Sequence, residues 1–171
     1  MQNIDFQLSN FFFEIGRSVP LWIVVFLATY SIWIIGACVL LVFRKRSNNF
    51  FKDLLLLFCA TVLAYFLNFI VGHFFFRDRP FVSFGFDPLI GAPHTAKSFP
   101  SDHAAIAWTA ACYIFIRYKK SACVFLVLAL LVCLGRVLAG VHYIGDVASG
   151  AVIGSISSLL VIYLAKKRIL F

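Results

Sequence analysis

The sequence predicts an all-α integral membrane protein: five transmembrane helices in one domain over residues 1–171, preceded by a helix lying on the membrane interface. Three observations predict it. Hydrophobic residues make up 63% of the chain and charged residues only 13%, and the mean hydropathy of +0.97 lies outside the range of soluble domains. Two uninterrupted apolar runs, 21–43 and 54–76, are each long enough to cross a hydrocarbon core of about 30 Å at about 1.5 Å per residue. The basic residues sit in short clusters at the ends of apolar segments.

From the N-terminus, residues 4–16 carry Phe6, Phe11, Phe12 and Phe13 among polar neighbours, as in a helix that lies in the outer interface. No basic n-region or A-x-A site precedes the first long apolar run, so no cleavable signal peptide is expected. After the spans at 21–43 and 54–76, three more apolar stretches follow at 103–116, 121 to about 141, and about 147–165. They are separated by Arg117-Tyr118-Lys119-Lys120 and by the segment 140–145. Of the fifteen Lys and Arg residues, ten (Arg44, Lys45, Arg46, Lys52, Arg117, Lys119, Lys120, Lys166, Lys167, Arg168) fall on one side of this arrangement. By the positive-inside rule that side is cytoplasmic. The expectation is therefore a multi-pass plasma (inner) membrane protein with the N-terminus and the 77–100 loop outside and the C-terminus in the cytoplasm.

Several classes are excluded at this point. The +8 net charge is spread over segment ends with no continuous basic face, which argues against nucleic acid. Cys38, Cys59, Cys112, Cys123 and Cys133 lie in apolar runs without C-x-x-C spacing, so they read as small buried hydrophobes rather than disulfide or zinc cysteines. There is no internal repeat.

The third and fourth spans are short on the outer side. Counted from Arg117, His103 lies about 21 Å along a helix; counted from Lys120, Arg136 lies about 24 Å along the next. Ionisable groups recessed that far from a surface normally face a protein interior or a wet cavity, so two at similar depth point to one shared site. Three clusters converge on that face: Arg77-Asp78-Arg79-Pro80, Ser98-Phe99-Pro100-Ser101-Asp102-His103, and Gly135-Arg136 followed by His142 and Asp146. Pro100 and Ser101 stand where a helix starts, with Ser101 as N-cap, and such an end binds anions. His142 and Asp146 are four apart, so on a helix they share a face and the carboxylate can orient the imidazole. Arg136 can join them only through a bend at 140–145, which Gly140 and Gly145 permit. Arg79 and Arg136 offer planar forks suited to phosphate oxygens. Two arginines, a helix N-terminus, two histidines and an orienting carboxylate together suit phosphoryl transfer.

In this order and spacing the residues resemble the type 2 phosphatidic acid phosphatase superfamily, whose motifs run K-x6-R-P, P-S-G-H and S-R-x5-H-x3-D. Here they read Gly72-x6-Arg79-Pro80, Pro100-Ser101-Asp102-His103 and Gly135-Arg136-x5-His142-x3-Asp146, over a motif-bearing core of about 72–150. The resemblance implies that His142 is the nucleophile forming a phosphohistidine, Asp146 its orienting partner and His103 the general acid. It also implies that Arg79, Arg136, Ser101 and the backbone around Asp102 hold the phosphate, with no metal or cofactor. Three positions depart from the pattern: Gly72 for lysine, Asp102 for glycine and Gly135 for serine. Arg77, Lys97 or His73 could replace the missing lysine. Arg-Pro-Phe followed by Ser-Phe-Pro-Ser-Asp-His is similar to the bacterial undecaprenyl-diphosphate phosphatases associated with bacitracin resistance. The expected substrate is thus undecaprenyl diphosphate, a lipid in the bilayer. The same machinery would also serve phosphatidic acid, phosphatidylglycerol phosphate or a lipid A phosphate.

Two other classes compete. A metal hydrolase would use His103, His142, Asp102 and Asp146 as ligands, against repulsion from the arginines. A lipid transporter or binding module would use the buried charges as a path, against the absence of repeats and a site confined to one face. Among the remaining polar residues, His94 reads as a solvated loop residue, Asn68 and His73 as partners of a neighbouring helix, and Phe74 to Phe76 as packing or lipid-facing residues.

Overall fold

Apolar runs without an interior proline fold as long helices in the computed structural model of the chain, which describes residues 4–95 and 97–167. In chain order these are α1 (Ile4–Ser18), α2 (Leu21–Arg46, with a π-helical segment at Phe26–Tyr30), α3 (Phe50–Phe74), the short α4 (Pro80–Phe84), α5 (Asp102–Arg117), α6 (Ala122–Leu138, entered through a 3₁₀ turn at Lys119–Ser121) and α7 (Ile144–Lys166). No strand occurs among the described residues.

The expected boundaries shift where local caps decide them. The second long helix begins at Phe50 rather than residue 54, because the Asn49 side chain accepts the Lys52 N–H at 3.0 Å. The fourth ends at Leu138 instead of about 141, two residues before Gly140 takes φ 72°. The fifth begins at Ile144 rather than about 147. The 77–100 loop contains α4, which Pro80 starts at its first turn and Gly85 closes at φ 67°. Arg168, counted with the cytoplasmic cluster, lies outside the described residues.

Among the described residues four helices are long and apolar enough to cross a membrane: α2, α3, Lys119–Leu138 and α7. The fifth expected span, α5, has 16 residues, about 24 Å of helix. It is the centre of the bundle. Ala104, Ala105, Ala107, Thr109, Ala110, Ala111, Tyr113 and Ile114 are all buried, so protein covers most of its surface and only Phe115, near its C-terminal end, is an exposed apolar side chain. Small residues allow this. A Cβ at Gly154 of α7 would overlap the Ala105 carbonyl and come within 2.9 Å of the Thr109 N–H nitrogen, so α5 and α7 pack backbone to backbone.

The outer helices bury one stripe and expose the rest. On α3 the buried positions are Asp53, Leu56, Ala60, Ala64, Asn68 and Gly72, one helix face, whereas Phe51, Phe58, Phe66 and Phe69 are more than half exposed. Such inverted surfaces suit an apolar solvent. The same holds for the cysteines: four are half-buried and Cys123 is exposed, which corrects the expectation that all five are buried. The bilayer supplies the apolar surroundings that burial would otherwise provide. Phe74, Phe75 and Phe76 are likewise exposed. α1 packs on α6 and α7, while Ile4, Leu8, Phe11 and Ile15 form one exposed apolar stripe along it.

At the end of the bundle away from Ser101, Asp53 is 2% exposed and accepts hydrogen bonds from Ser47 Oγ (2.6 Å), Tyr113 Oη (2.7 Å), Arg117 Nη2 (2.9 Å) and Tyr118 Oη. One carboxylate thereby ties together the α2–α3 turn, the C-terminal end of α5 and the residue that follows it. Asp53→Ala would leave Arg117 and two tyrosines short of an acceptor, so a loss of about 3 kcal/mol is expected. Unfolding of the detergent-solubilised protein measures it; a change below about 0.5 kcal/mol would show that the network is not a brace.

Candidate active site

Pro100 and Ser101 end the loop and start α5. Ser101 has the extended backbone of an N-cap, yet its hydroxyl, fully buried, makes no hydrogen bond. This corrects the expectation of a side-chain cap: no first-turn N–H of α5 donates to the Ser101 hydroxyl. The Ser101 N–H instead donates to the Asp146 carbonyl at 3.0 Å, pinning the start of α5 to α7. The Asp102 carboxylate accepts from Asn68 Nδ2 (2.5 Å) and Lys97 Nζ (3.0 Å). Any contact of this residue with an anion therefore falls to its backbone N–H.

The corner between α6 and α7 carries the second half of the site. Gly140 turns the chain, and His142 lies between the two helices, not on one face with Asp146 as helical spacing suggested. The two still meet, because Asp146 is the third residue of α7 and its side chain folds back: Oδ2 accepts the Tyr143 N–H at 2.8 Å and lies 3.6 Å from His142 Nδ1. The nearer partner of the ring is the Ser98 carbonyl, 2.9 Å from Nδ1. A carbonyl can only accept, so Nδ1 carries the proton and Nε2 keeps its lone pair. Asp146 is fully buried and also accepts from Ser98 Oγ (2.5 Å) and Arg77 Nη1 (3.2 Å).

Arg79 and Arg136 are both buried, at 8% and 6% exposure. Arg136 donates from Nη1 to the Ala28 carbonyl in the π-helical segment of α2, and its Nε has no hydrogen-bond partner. A Cβ at Gly135 would stand 2.6 Å from the Ala28 nitrogen, which explains why glycine replaces serine there: α2 passes too close. His103 is within electrostatic reach of Arg136, His142, Asp102 and Arg79, and Arg136 of Arg79 and Asp102. The four side chains anticipated around one centre thus share one neighbourhood. Burial lowers the Arg79 pKa from its ordinary value, with Asp102 and Asp146 offsetting part of the effect. Burial also pulls His142 down to about 4, opposed by Asp146 and reinforced by Arg136 and Arg79. At neutral pH the imidazole is therefore uncharged. Among the described residues no three His, Cys, Asp or Glu side chains cluster as metal ligands would.

The family profile described as the PAP2 superfamily matches residues 53–170. The chain belongs to the PAP2 superfamily. Its relatives include the Bacitracin transport permease protein BcrC of Bacillus licheniformis, 31% identical over 168 residues, covering 96% of this chain and 81% of that protein. They also include Undecaprenyl-diphosphatase BcrC of Bacillus subtilis, 28% identical over 139 residues, covering 81% and 71%. The crystal structure of Aquifex aeolicus LpxE is similar in fold, with a TM-score of 0.67 and 23% identity, covering 90% of this chain and 93% of that one. As a PAP2 member the chain is a membrane-embedded hydrolase of lipid phosphates.

In this PAP2 chain the three candidates for the missing lysine part company. His73 is exposed and stacks on Phe69, away from the site. Arg77 is held by Asp5 (2.7 Å) and Asp146 and lies over the Tyr143 ring. Lys97 reaches the start of α5. His94 is exposed in the loop, and Asn68 is fully buried, donating to the Pro100 carbonyl as well as Asp102. Sequence reasoning missed Ser98, whose carbonyl and hydroxyl hold both His142 and Asp146, and missed Asp5 and Ser9 of α1. Asp5 accepts the Gly145 N–H and Ser9 Oγ accepts the Ile144 N–H, both at 2.9 Å. The only available signal was Asp-x3-Ser ahead of an aromatic stripe, which reads equally as an ordinary helix start.

A histidine held neutral in the fold contributes stability that is fully present above its ordinary pKa of 6.5 and is lost as the pH falls toward 4. Relative to His142→Gln, the wild type should lose roughly 3 kcal/mol of stability over that window. Unfolding measured for both proteins between pH 7 and pH 4 tests this; parallel curves would mean that His142 is not buried neutral.

Proposed function

We propose that this phosphatase hydrolyses undecaprenyl diphosphate to undecaprenyl phosphate at the extracytoplasmic face, through a phosphohistidine on His142. The observation that carries the reading is the His142 ring, neutral, tethered at Nδ1 by the Ser98 carbonyl and Asp146, in a neighbourhood that holds two buried arginines and His103. Nε2 attacks the terminal phosphorus while the bond from phosphorus to the bridging oxygen breaks. His103 gives its proton to that oxygen, so lipid monophosphate leaves. Asp146 stabilises the imidazolium that forms. A water then loses a proton to His103 and attacks phosphorus, the P–N bond breaks, and inorganic phosphate departs. Arg79, Arg136, the Ser101 hydroxyl and the open N–H groups of α5 hold the non-bridging oxygens as charge builds.

The substrate reading draws on the B. subtilis relative, whose name is that of an undecaprenyl-diphosphatase. For orientation, nine of the fourteen described Lys and Arg residues lie toward the Asp53 end, which by the positive-inside rule supports a cytoplasmic placement of that end. In this arrangement α5 is a fifth, protein-surrounded span, and α1 lies in the outer interface with its stripe of Ile4, Leu8, Phe11 and Ile15 in the headgroup region. A transport reading has one specific support, the permease name of the B. licheniformis relative.

The test is phosphate release from a panel of undecaprenyl diphosphate, phosphatidic acid, phosphatidylglycerol phosphate and lipid A phosphate, with and without EDTA. Expected are EDTA-insensitive turnover, preference for the diphosphate, and a fall of about 10³-fold or more in His142→Ala. Preference for a glycerolipid would replace the substrate; full activity of His142→Ala would end the mechanism; lipid translocation by that variant would favour transport.

A further inference from the structure

The ammonium of Lys97 stands at the N-terminal end of α5, 3.0 Å from both the Pro100 carbonyl and Asp102 Oδ1. Its stem reaches that place across Gly72. A Cβ at Gly72 would overlap Lys97 Cδ and come within 2.9 Å of Lys97 Cε and the Phe99 carbonyl. The lysine therefore fills the volume that a side chain at position 72 would need, so a larger residue there would have to displace the Lys97 stem.

Charge explains why a cation belongs there. Asp102 places a carboxylate in the first turn of α5, beside His103 and the buried Ser101 hydroxyl, where it would repel an incoming phosphate. Lys97 neutralises it. An ammonium has three N–H donors, and two are taken by Pro100 and Asp102, which leaves one for a ligand. The lysine side chain is 21% exposed, so it is reachable while its stem stays packed. The two other nearby cationic candidates are committed elsewhere: Arg77 bridges Asp5 and Asp146, and His73 faces outward against Phe69.

We propose that Lys97 is a substrate-binding residue of this site, its ammonium held across Gly72 on Asp102 at rest and donating its third N–H to a non-bridging oxygen of the phosphate headgroup when substrate binds. The superfamily motif brings a lysine from position 72 on a helix; this chain brings one from the loop, over the glycine that makes room. The inference deepens the phosphatase reading and rests on it for the identity of the ligand, though the phosphate contact can be tested separately.

The experiment uses the full-length protein in detergent with inorganic phosphate as probe. It compares wild type, Lys97→Met, which keeps the stem over Gly72 and removes the charge, Lys97→Arg, and Asp102→Asn. Lys97→Met should weaken phosphate inhibition and raise KM by about tenfold or more at an unchanged melting temperature. Lys97→Arg should recover most of the affinity. Asp102→Asn should act with the opposite sign and strengthen phosphate inhibition, because it removes a repelling carboxylate and releases the ammonium. A merely structural ion pair would instead weaken binding in both single variants through lost order. That result, or unchanged KM and inhibition in Lys97→Met, would overturn the proposal. If the wild type releases no phosphate from any lipid, the phosphatase reading falls. Stabilisation against heat by inorganic phosphate, lost in Lys97→Met and retained in Lys97→Arg, would still support Lys97 as the phosphate ligand, and equal stabilisation in all variants would sink it.

Discussion

The buried carboxylate of Asp146 is the contact on which the rest of the site depends. With no surface of its own exposed, it must satisfy its oxygens internally. It does so by gathering Ser98 from the loop, Arg77 from the segment after α3, the Tyr143 N–H at the head of α7 and the His142 ring. Three separate stretches of chain are thereby fixed to one point. Its own carbonyl also receives the Ser101 N–H, so the same residue aligns the start of α5 with the start of α7. The nucleophile candidate is held by what surrounds Asp146 as much as by Asp146 itself.

Positioning of this kind requires close-packed helices, and in a membrane there is little hydrophobic force to press them together. Small residues take over that role. Ala104, Ala105, Gly150 and Gly154 bring α5 and α7 to backbone contact, Gly135 lets α6 pass the π-helical segment of α2, and Gly72 leaves room for the Lys97 stem. At the opposite end Asp53 performs the corresponding task with tyrosines and an arginine. The bundle is thus tied at both ends by a buried carboxylate and closed between them by glycine and alanine, while many of its phenylalanines, Phe51, Phe58, Phe66 and Phe69 among them, face outward.

Much of this could be read from the residues alone, for identifiable reasons. The long spans follow from apolar run length, and the gathering of Arg79, His103, Arg136 and His142 follows from ionisable groups at matched depth on short helices. What escaped was whatever depends on a single cap or a backbone atom. The Ser98 carbonyl, the nearer partner of His142, has no signature in a side-chain pattern. The choice among His73, Arg77 and Lys97 turned on which stem crosses Gly72, a matter of volume that spacing does not encode. Asp53 stands in the first turn of α3, where acids are ordinary, and only the convergence of Tyr113, Arg117 and Tyr118 gives it a larger part.

The contrast between the two helix N-termini at the site gives α1 a purpose that its position outside the family-matched segment 53–170 would not suggest. Both α5 and α7 begin there, each with first-turn N–H groups that lack intrahelical partners and with the positive end of a dipole. At α7 the first-turn donors are taken: Asp5 accepts from Gly145, Ser9 from Ile144, and Asp146 from Tyr143. At α5 the Ser101 hydroxyl caps nothing. One helix start is therefore occupied by protein, while the other lacks a cap from its own serine. α1 thus closes the start of α7 with its own side chains and leaves the start of α5, beside His103, uncapped by Ser101.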